Sequence, residues 1–312
     1  MSTHFADRLI AAIDDKGSAV CVGIDPIYES LPEAVAGPAS QRNANDAEAA
    51  LDAIYEFVTG VLEVLAPIVP IVKFQSAYFE KYLWEGVQAY YDLIQEAHEL
   101  GLLVIGDVKR GDIGSTASAY AAGHLADPGY IDLEDVVTPD AITVNPMLGL
   151  DTLEPFIETA RDSDKGLFVL VRTSNPGSGD FQDVKLEDGR TWSEMLADKL
   201  APVAERLIGS SGYSAVGAVV GATQPHTMVS LRRRLPRSIM LLPGYGAQGA
   251  TADMTRSAFD KHGHGALVSA SRSILYAHKE KKHADLEWQD AVRKATLDMT
   301  LDIARVLGKQ PA

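Results

Sequence analysis

The sequence predicts an α/β fold, a single-domain (β/α)8 TIM barrel spanning residues 1–312. Three observations support this prediction. Eight short apolar runs alternate with helical patterns, which is the order of right-handed βαβ units around a parallel sheet. The length of 312 residues suits one barrel, and no linker is rich enough in breakers to split the chain. The Gly-x-Gly-x-x-Gly turn of an open dinucleotide-binding sheet does not follow the first run.

The predicted strands are apolar runs short enough to be buried parallel strands. In chain order they cover 19–24, 68–72, 102–105, 141–144, 167–171, 215–220, 239–242 and 266–268. The predicted helices carry apolar residues at helical spacing, as the stripe of Phe5, Leu9 and Ile13 does in the first of them. They run to residue 16, then over 46–65, 76–100, 115–126, from about 151, and over 192–208, 228–235 and 288–306.

Two connecting segments and two side-chain patterns complete this description. Residues 28–45 are expected to form a loop because of their prolines and glycine, and the polar segment 177–191, with room for a hairpin, is long enough to be a lid. The aromatic stripe of the 76–100 helix, which includes Leu83, is interpreted as core packing. The basic run 232–234 is interpreted as a solvated helix face.

The net charge of −15 limits the classes of partner. A surface this acidic argues against binding to nucleic acid or to an anionic membrane, but an anionic small ligand needs only a few local cations. The polar N-terminal residues and the absence of an 18-residue apolar stretch lead us to expect a cytoplasmic protein without a signal peptide or membrane span.

The chain has one cysteine, so an internal disulfide and a cysteine-based zinc site are excluded. Cys21 lies within the first apolar run and is expected to be a buried small hydrophobe rather than a reactive thiol. His262 and His264 are interpreted as loop residues, and no set of side chains has the spacing of a metal site. We therefore expect no metal and no cofactor.

The segment 102–116 contains the densest cluster of charges next to a strand. Its apolar run ends abruptly in Asp107, Lys109, Arg110 and Asp112. Residues two apart in a strand face the same side, so Asp107 and Lys109 should lie side by side. Charges at the end of a buried strand are costly unless the strand opens into a site. The alternative is a strand-end salt bridge followed by a helix N-cap at Ser115 or Thr116.

Other chemically capable side chains also follow the apolar runs. They are Asp25, Lys73, Asp107, Lys109, Asn145, Ser174, Thr223, Gln248 and Arg272. A barrel brings all carboxyl ends of its strands to one face, where barrel active sites lie. The glycines of the 243–249 segment, together with Arg272 after the eighth strand, indicate a phosphate site formed by the last two loops.

Several motifs, in this order, resemble the orotidine 5′-phosphate decarboxylase family, whose signature is Asp-x-Lys-x-x-Asp followed by an apolar residue and Thr. The signature corresponds to Asp107-Val-Lys109-Arg-Gly-Asp112-Ile-Gly-Ser-Thr116. The resemblance continues at 22–26, 72–75, 145–149, 174–177, 243–249 and 271–273. The 73–75 and 145–146 blocks are similar to the longer bacterial subgroup called type 2. Val108 and Leu148 depart from the pattern, and neither is a catalytic position.

The resemblance implies a cofactor-independent conversion of orotidine 5′-phosphate to UMP in pyrimidine biosynthesis by a homodimer with composite sites. Lys109 would protonate C6 of the pyrimidine, and Asp107 and the partner's Asp112 would flank the departing carboxylate. Lys73 would link this network to the ribose, whose hydroxyl Asp25 would bind. The remaining residues implied to contact the substrate are Ile113 and Thr116, reaching across the dimer, Ser174 at the pyrimidine, and Gln248 and Arg272 at the phosphate.

The charge pattern supports this assignment independently. Decarboxylation leaves a carbanion, and nothing in the sequence indicates an electron-sink cofactor. Without a cofactor, the carbanion can be stabilised by preorganised charge and exclusion of water, and it can be protonated by a suitably placed donor. Charges of alternating sign around Asp107 and Lys109 should keep buried lysines protonated.

The sequence leaves two alternative functions open. The first is a sugar-phosphate decarboxylase or aldolase of the same superfamily, which shares Asp-x-Lys-x-x-Asp but uses a magnesium-stabilised enediolate. Lys73 after the second strand and insensitivity to EDTA would argue against it. The second is a catalytically silent nucleotide-binding barrel, and an ultraviolet assay of orotidylate loss would identify it.

Overall fold

The computed structural model describes residues 3–40 and 46–309 and contains a closed barrel of eight strands. Each strand pairs in parallel with the next, and β8 pairs with β1. The predicted fold class is confirmed. The strands are β1 (Val20–Ile24), β2 (Ile71–Gln75), β3 (Leu103–Arg110), β4 (Ala141–Val144), β5 (Gly166–Arg172), β6 (Ser214–Val220), β7 (Ser238–Pro243) and β8 (Ala266–Ala270).

Helices surround the barrel, and short 3-10 turns join them to it. The α-helices are α1 (Phe5–Lys16), α2 (Glu33–Ser40), α3 (Ala47–Leu65), α4 (Ala77–Glu80), α5 (Leu83–Glu99), α6 (Gly114–His124), α7 (Glu154–Asp162), α8 (Gly179–Gln182), α9 (Trp192–Glu205), α10 (Pro225–Arg234), α11 (Ala252–Thr255), α12 (Arg272–Leu275) and α13 (Trp288–Leu307). The 3-10 helices are Tyr28–Ser30, Ile131–Leu133, Leu150–Leu153, Pro176–Ser178, Arg256–Ala258, Ala277–Lys279 and Lys281–His283. No helix in the described part of the chain is long and apolar enough to cross a membrane.

The strands are apolar runs because the helices cover one face of the sheet and the barrel interior covers the other. All residues of β1, β4, β6 and β8 are buried. Helix α9 begins at a capping box, in which Thr191 and Glu194 each accept the other's backbone N–H, at 3.2 and 2.9 Å. The apolar strand runs and the helix-capping residues thus predict the same elements that the buried core requires.

Two of the predicted segments are wrong in part. The predicted 28–45 loop contains helix α2. Pro32 stands just before this helix and favours its start, because the carbonyl of Pro32 accepts the N–H groups of Val35 and Ala36. Residues 41–45 of that loop lie outside the described residues. The predicted 76–100 helix is interrupted after α4, and Leu83 (φ 60°) is 64% exposed rather than packed in the core.

The interpretation of the basic run 232–234 as a solvated face is also wrong. Arg232 donates to the carbonyls of Ser238 and Gly265, at 2.7 and 3.0 Å, and burial lowers its pKa to about 10. Arg234 pairs with Asp198 at 2.6 Å. Only Arg233 of the three is exposed, because the other two guanidinium groups bind the neighbouring loop and helix.

A buried carboxylate ties the amino-terminal end of the barrel together. Asp140, just before β4, accepts from Arg8 of α1 at 2.5 Å, from His98 of α5 at 2.8 Å and from the backbone N–H of Val104 in β3 at 2.8 Å. Burial alone would raise the pKa of Asp140, but the hydrogen bond and charge of His98, with the guanidinium of Arg8, outweigh it and hold this pKa at about 2.

This arrangement predicts a pH dependence of stability. Because the folded pKa of Asp140, about 2, lies below the ordinary value, its contribution is present at pH 5 and above and is lost as pH falls from 4 towards 2. That contribution is about 2 kcal/mol by linkage. In Asp140→Asn, urea unfolding should give a lower free energy of unfolding at pH 7 and a shallower loss between pH 5 and 2. The exposed Asp162→Asn is the control, and an unchanged acid slope in Asp140→Asn would contradict the assignment.

Candidate active site

The main pocket of the barrel lies at the carboxyl ends of the strands and has a volume of about 440 Å³. The first, second, third, fifth, seventh and eighth strands or the loops after them supply the predicted residues that line it. These are Asp25, Lys73, Asp107, Lys109, Ser174, Gln248 and Arg272. The prediction that strand-end polar residues meet on one face is confirmed for this group. Asn145 and Thr223 lie outside the lining, and Asn145 borders a neighbouring groove.

One buried carboxylate joins two lysines at the floor of the pocket. Nζ of Lys73 lies 2.6 Å from Oδ2 of Asp107, and Nζ of Lys109 lies 2.6 Å from Oδ1. Burial alone would raise the pKa of Asp107, but the two ammonium groups outweigh it and hold this pKa well below its usual range. Burial alone would lower the pKa of Lys73, but the carboxylates of Asp107 and Asp25 outweigh it and raise this pKa. The three groups therefore form a fixed cation–anion–cation array.

Two neutral side chains complete the hydrogen bonds of Asp107, and sequence reasoning missed both. Thr143 Oγ1 donates to Oδ1 at 2.8 Å and accepts the N–H of Lys109 at 2.9 Å. Gln75 Nε2 donates to Oδ2 at 3.0 Å. Thr143 looked like an ordinary β-branched strand residue, and only the pairing of β3 with β4 could have indicated its role. The predicted second strand ended at residue 72, whereas β2 extends to Gln75. Gln75 therefore faces the same side of the strand as Lys73, two residues before it.

Lys109 reaches Asp107 through an irregular backbone rather than through simple alternation. Its φ is 45°, in the left-handed region, and the register between β3 and β4 shifts between Gly106 and Arg110. A non-glycine residue in this region costs about 1 kcal/mol and is found most often at functional sites. The expected side-by-side placement of Asp107 and Lys109 is confirmed. It is produced by a bulge in β3, which the sequence did not predict.

The opposite wall of the pocket is suited to an anion. Gly244 (φ 112°), Gly246 (φ 69°) and Gly249 (φ 86°) turn the backbone through conformations that other residues rarely adopt. Gln248, within this turn, and Arg272, at the start of α12, line the same wall. The guanidinium of Arg272 and the side-chain amide of Gln248 are donors of the kind that bind a phosphate.

Two buried oxygens in the pocket have no hydrogen-bond partner among the described residues. They are Oδ1 of Asp25 and Oγ of Ser271, and both side chains line the pocket. A buried polar atom left unpaired is costly, so such atoms in a cavity mark positions for ligand groups. A ligand with hydroxyl groups would satisfy both atoms.

Three predicted residues do not enter the pocket of their own chain. Asp112 accepts the backbone N–H of Ile113 at 2.7 Å, and Ile113 and Thr116 are exposed. Helix α6 begins at Gly114 with no side-chain cap, so the N-cap at Ser115 or Thr116 that the alternative required is absent. The strand-end salt bridge is present, but it lies within a pocket.

The residues considered for metal or thiol chemistry lie elsewhere or are unreactive. Among the described residues, no group of three His, Cys, Asp or Glu side chains could hold a metal ion. His262 and His264 lie in a loop where Asp260 accepts both of their backbone N–H groups. Cys21 is fully buried, and burial raises its pKa to about 12, as expected for a packing residue.

Comparison with known sequences identifies relatives along almost the whole chain. Residues 18–286 match the model of the orotidine 5′-phosphate decarboxylase / HUMPS family. A protein from Rhodopirellula baltica named orotidine 5′-phosphate decarboxylase is 43% identical over 301 residues, which cover 95% of this chain and 97% of that protein. One of the same name from Caldicellulosiruptor bescii is 38% identical over 285 residues, with 91% and 93% coverage.

Comparison with solved structures gives the same result. A Streptomyces avermitilis protein described as an orotidine 5′-phosphate decarboxylase superposes with a TM-score of 0.78 at 34% identity, covering 98% of this chain and 96% of its own. A Toxoplasma gondii protein with a similar description has a TM-score of 0.79 at 27% identity, with 98% and 97% coverage. The similarity thus includes the barrel and the loops at its mouth.

Proposed function

The chain belongs to the orotidine 5′-phosphate decarboxylase / HUMPS family, and we propose that the array of Asp107 with two lysines carries out its chemistry. The activity is the decarboxylation of orotidine 5′-phosphate to UMP in pyrimidine biosynthesis, so the protein is a carboxy-lyase acting on a nucleotide. The observation that carries the proposed roles is the contact of both ammonium groups with the two oxygens of one buried carboxylate, each at 2.6 Å.

In the proposed reaction, the bond between C6 and the carboxylate carbon breaks, carbon dioxide leaves and the electron pair stays on C6. Lys109 then transfers a proton from Nζ to C6. Its ammonium group supplies positive charge where negative charge develops, and the hydrogen bond to Asp107 fixes its direction. Because these groups are fixed before the substrate arrives, little reorganisation accompanies the reaction.

The rest of the pocket supports a matching placement of the nucleotide. Gln248 and Arg272 would bind the phosphate, and the unpaired Oδ1 of Asp25 would accept a ribose hydroxyl. Ser174 would contact the pyrimidine, and Lys73 would connect Asp107 to the ribose. Phosphate binding far from C6 can thus contribute energy that positions the reacting ring.

We also propose a homodimer in which Asp112, Ile113 and Thr116 act in the partner's pocket. These residues lie outside the lining of their own chain's pocket, Asp112 and Ile113 between β3 and α6 and Thr116 in the first turn of α6, and Ile113 and Thr116 are exposed. Ile113 (64% exposed), Met147 (67%) and Leu148 (57%) present apolar side chains near the barrel mouth. A second copy covering them would bring another carboxylate to the departing group, and the two acids would destabilise the bound substrate carboxylate.

The alternatives are less well supported. A magnesium-dependent sugar-phosphate enzyme needs oxygen ligands left free for the metal, whereas both oxygens of Asp107 are bound by ammonium groups. A silent barrel would not need to maintain a strained lysine beside a buried acid. An ultraviolet assay of orotidylate loss, repeated with EDTA, separates all three functions. The proposed location is the cytoplasm, which the single buried thiol supports.

The role proposed for Lys109 predicts the result of removing its ammonium group. In Lys109→Ala, turnover should fall below detection, because no other protonated group of the pocket is assigned to C6. UMP binding, measured by calorimetry, should persist because the phosphate and ribose contacts remain. Lys199→Ala, an exposed lysine on α9, is the control and should retain wild-type rates. Substantial turnover by Lys109→Ala would overturn the proposed role.

The proposed composite site predicts that two inactive variants can complement each other. Lys109→Ala and Asp112→Ala should each be nearly inactive as pure proteins. When the two chains are co-expressed, mixed dimers contain one pocket with both residues intact, so about a quarter of the wild-type activity should return for random assortment. No recovery, in mixtures shown to contain mixed dimers, would place Asp112 outside the partner's site.

The 177–191 segment is proposed to act as a lid. It contains α8 and a hairpin closed by the bridge between Lys185 and Thr191. Gln182 accepts the backbone N–H of Thr173, a pocket residue, at 2.8 Å, so movement of the segment would reach the pocket rim. The exposed Phe181 and half-exposed Val184 border a groove of about 350 Å³ that shares Leu170 and Thr173 with the main pocket.

Deleting residues 187–189 at the hairpin tip should therefore lower kcat/KM by about tenfold or more, because closure and exclusion of water would be impaired. Deleting 128–130, in a loop at the opposite end of the barrel, is the control and should leave kcat/KM unchanged. Steady-state kinetics at matched folded fractions measures both. Wild-type kinetics after the tip deletion would rule out the lid.

A further inference from the structure

Arg110 lies directly after Lys109 at the end of β3, outside the pocket lining, and is not among the residues proposed to contact the substrate. Its half-buried guanidinium group has partners on every side. Nη1 donates to the carbonyl of Val108 at 3.0 Å, Nη2 to Glu80 at 2.6 Å and Nε to His124 at 3.3 Å. The ring of Tyr120 lies 5.5 Å from its central carbon. An exposed surface arginine is rarely held by so many contacts at once.

The contacts of Arg110 close the bulge that contains Lys109. Gly106 pairs with Ile142 and Arg110 with Val144, so residues 107–109 of β3 lie opposite residue 143 alone. The guanidinium binds the Val108 carbonyl within the bulge, and the carbonyl of Arg110 itself accepts the N–H of Asn145 at 2.8 Å. Arg110 therefore fixes both the interior and the far end of the irregular segment.

The partners of Arg110 are themselves held in place. Glu80 ends α4, the helix that follows β2 and hence Lys73. Burial and the charge of Arg110 lower the pKa of His124 to about 4, so its ring is neutral at pH 7 and Nε2 can accept from Arg110. The contacts of Arg110 thus connect the segments behind both lysines of the array.

We propose that Arg110 is a positioning residue that holds the β3 bulge, and through it Nζ of Lys109, in the geometry needed to protonate C6. This inference rests on the proposed role of Lys109. Without the guanidinium, the left-handed conformation of Lys109 loses the contacts that oppose its strain. The phosphate contacts proposed for Gln248 and Arg272 come from the loops after β7 and β8 and are unaffected.

The test is the split between kcat and KM in Arg110→Met, which keeps an apolar stem against Tyr120 but removes every hydrogen bond of the guanidinium. Because a displacement of about 1 Å at a reacting group costs about 100-fold, kcat should fall by about 10- to 100-fold. KM should change by less than about threefold, since the binding contacts remain. Arg206→Met, which breaks a surface pair with Glu154, is the matched control and should keep wild-type kcat.

Chemical rescue separates positioning from a purely structural role. Millimolar guanidinium should restore part of kcat in Arg110→Ala, because it can bind Glu80 and the Val108 carbonyl again, and it should not restore Lys109→Ala. If the Arg110 variants do not fold, Glu80→Gln keeps the shape of the side chain and removes its charge, and it should lower kcat by a smaller factor without raising KM.

Wild-type kcat in folded Arg110→Met or, where that variant does not fold, in Glu80→Gln would overturn the inference. A reduced kcat that guanidinium does not raise in Arg110→Ala would assign the defect to general disorder of the site and would also overturn it. Activity in Lys109→Ala is a different result, because it would refute the proposed role of Lys109 as proton donor, on which this inference rests. Loss of activity in Lys109→Ala with wild-type kcat in Arg110→Met would refute only the role of Arg110.

Discussion

The site depends on one buried carboxylate with more positive charge around it than it can neutralise. Asp107 accepts from Lys73, Lys109, Gln75 and Thr143, so each of its oxygens has one cationic and one neutral donor. Two ammonium groups this close would repel each other without the acid between them. With it, they form a rigid array carrying net positive charge towards the pocket. A pocket of this kind can stabilise a carbanion without a cofactor, because the charge that the reaction needs is already in place.

The barrel makes such an array possible by holding the ends of strands together. Lys73 belongs to β2, Asp107 and Lys109 to β3, and Thr143 to β4. Strand pairing places these neighbours in register, and the bulge in β3 provides the adjustment that regular pairing would not allow. The anion-binding wall comes from the last two loops of the barrel and is built separately. The reacting group and the binding group of the substrate can therefore be recognised by different strands.

Much of this could be predicted from the sequence, for identifiable reasons. Buried parallel strands are continuous apolar runs, so the barrel and the convergence of Asp25, Lys73, Asp107 and Arg272 followed from pattern alone. What could not be predicted depended on pairing or tertiary contact. The role of Thr143 arises from the β3–β4 register, the left-handed Lys109 from the bulge, and the half-buried position of Arg232 from carbonyls far along the chain. The proline before α2 was ambiguous because proline both begins helices and interrupts them.

Asp107 and Asp140 lie at opposite ends of the barrel and have different partners. Asp140 joins α1, α5 and β3 at the amino-terminal end without touching the pocket, whereas Asp107 organises the pocket at the mouth. Substitutions in the loops at the barrel mouth therefore do not disturb the ion pairs of Asp140 at the amino-terminal end. Such a scaffold can evolve readily. Substitutions in the loops at the carboxyl ends of the strands can change specificity, while the contacts of Asp140 at the amino-terminal end continue to stabilise the fold.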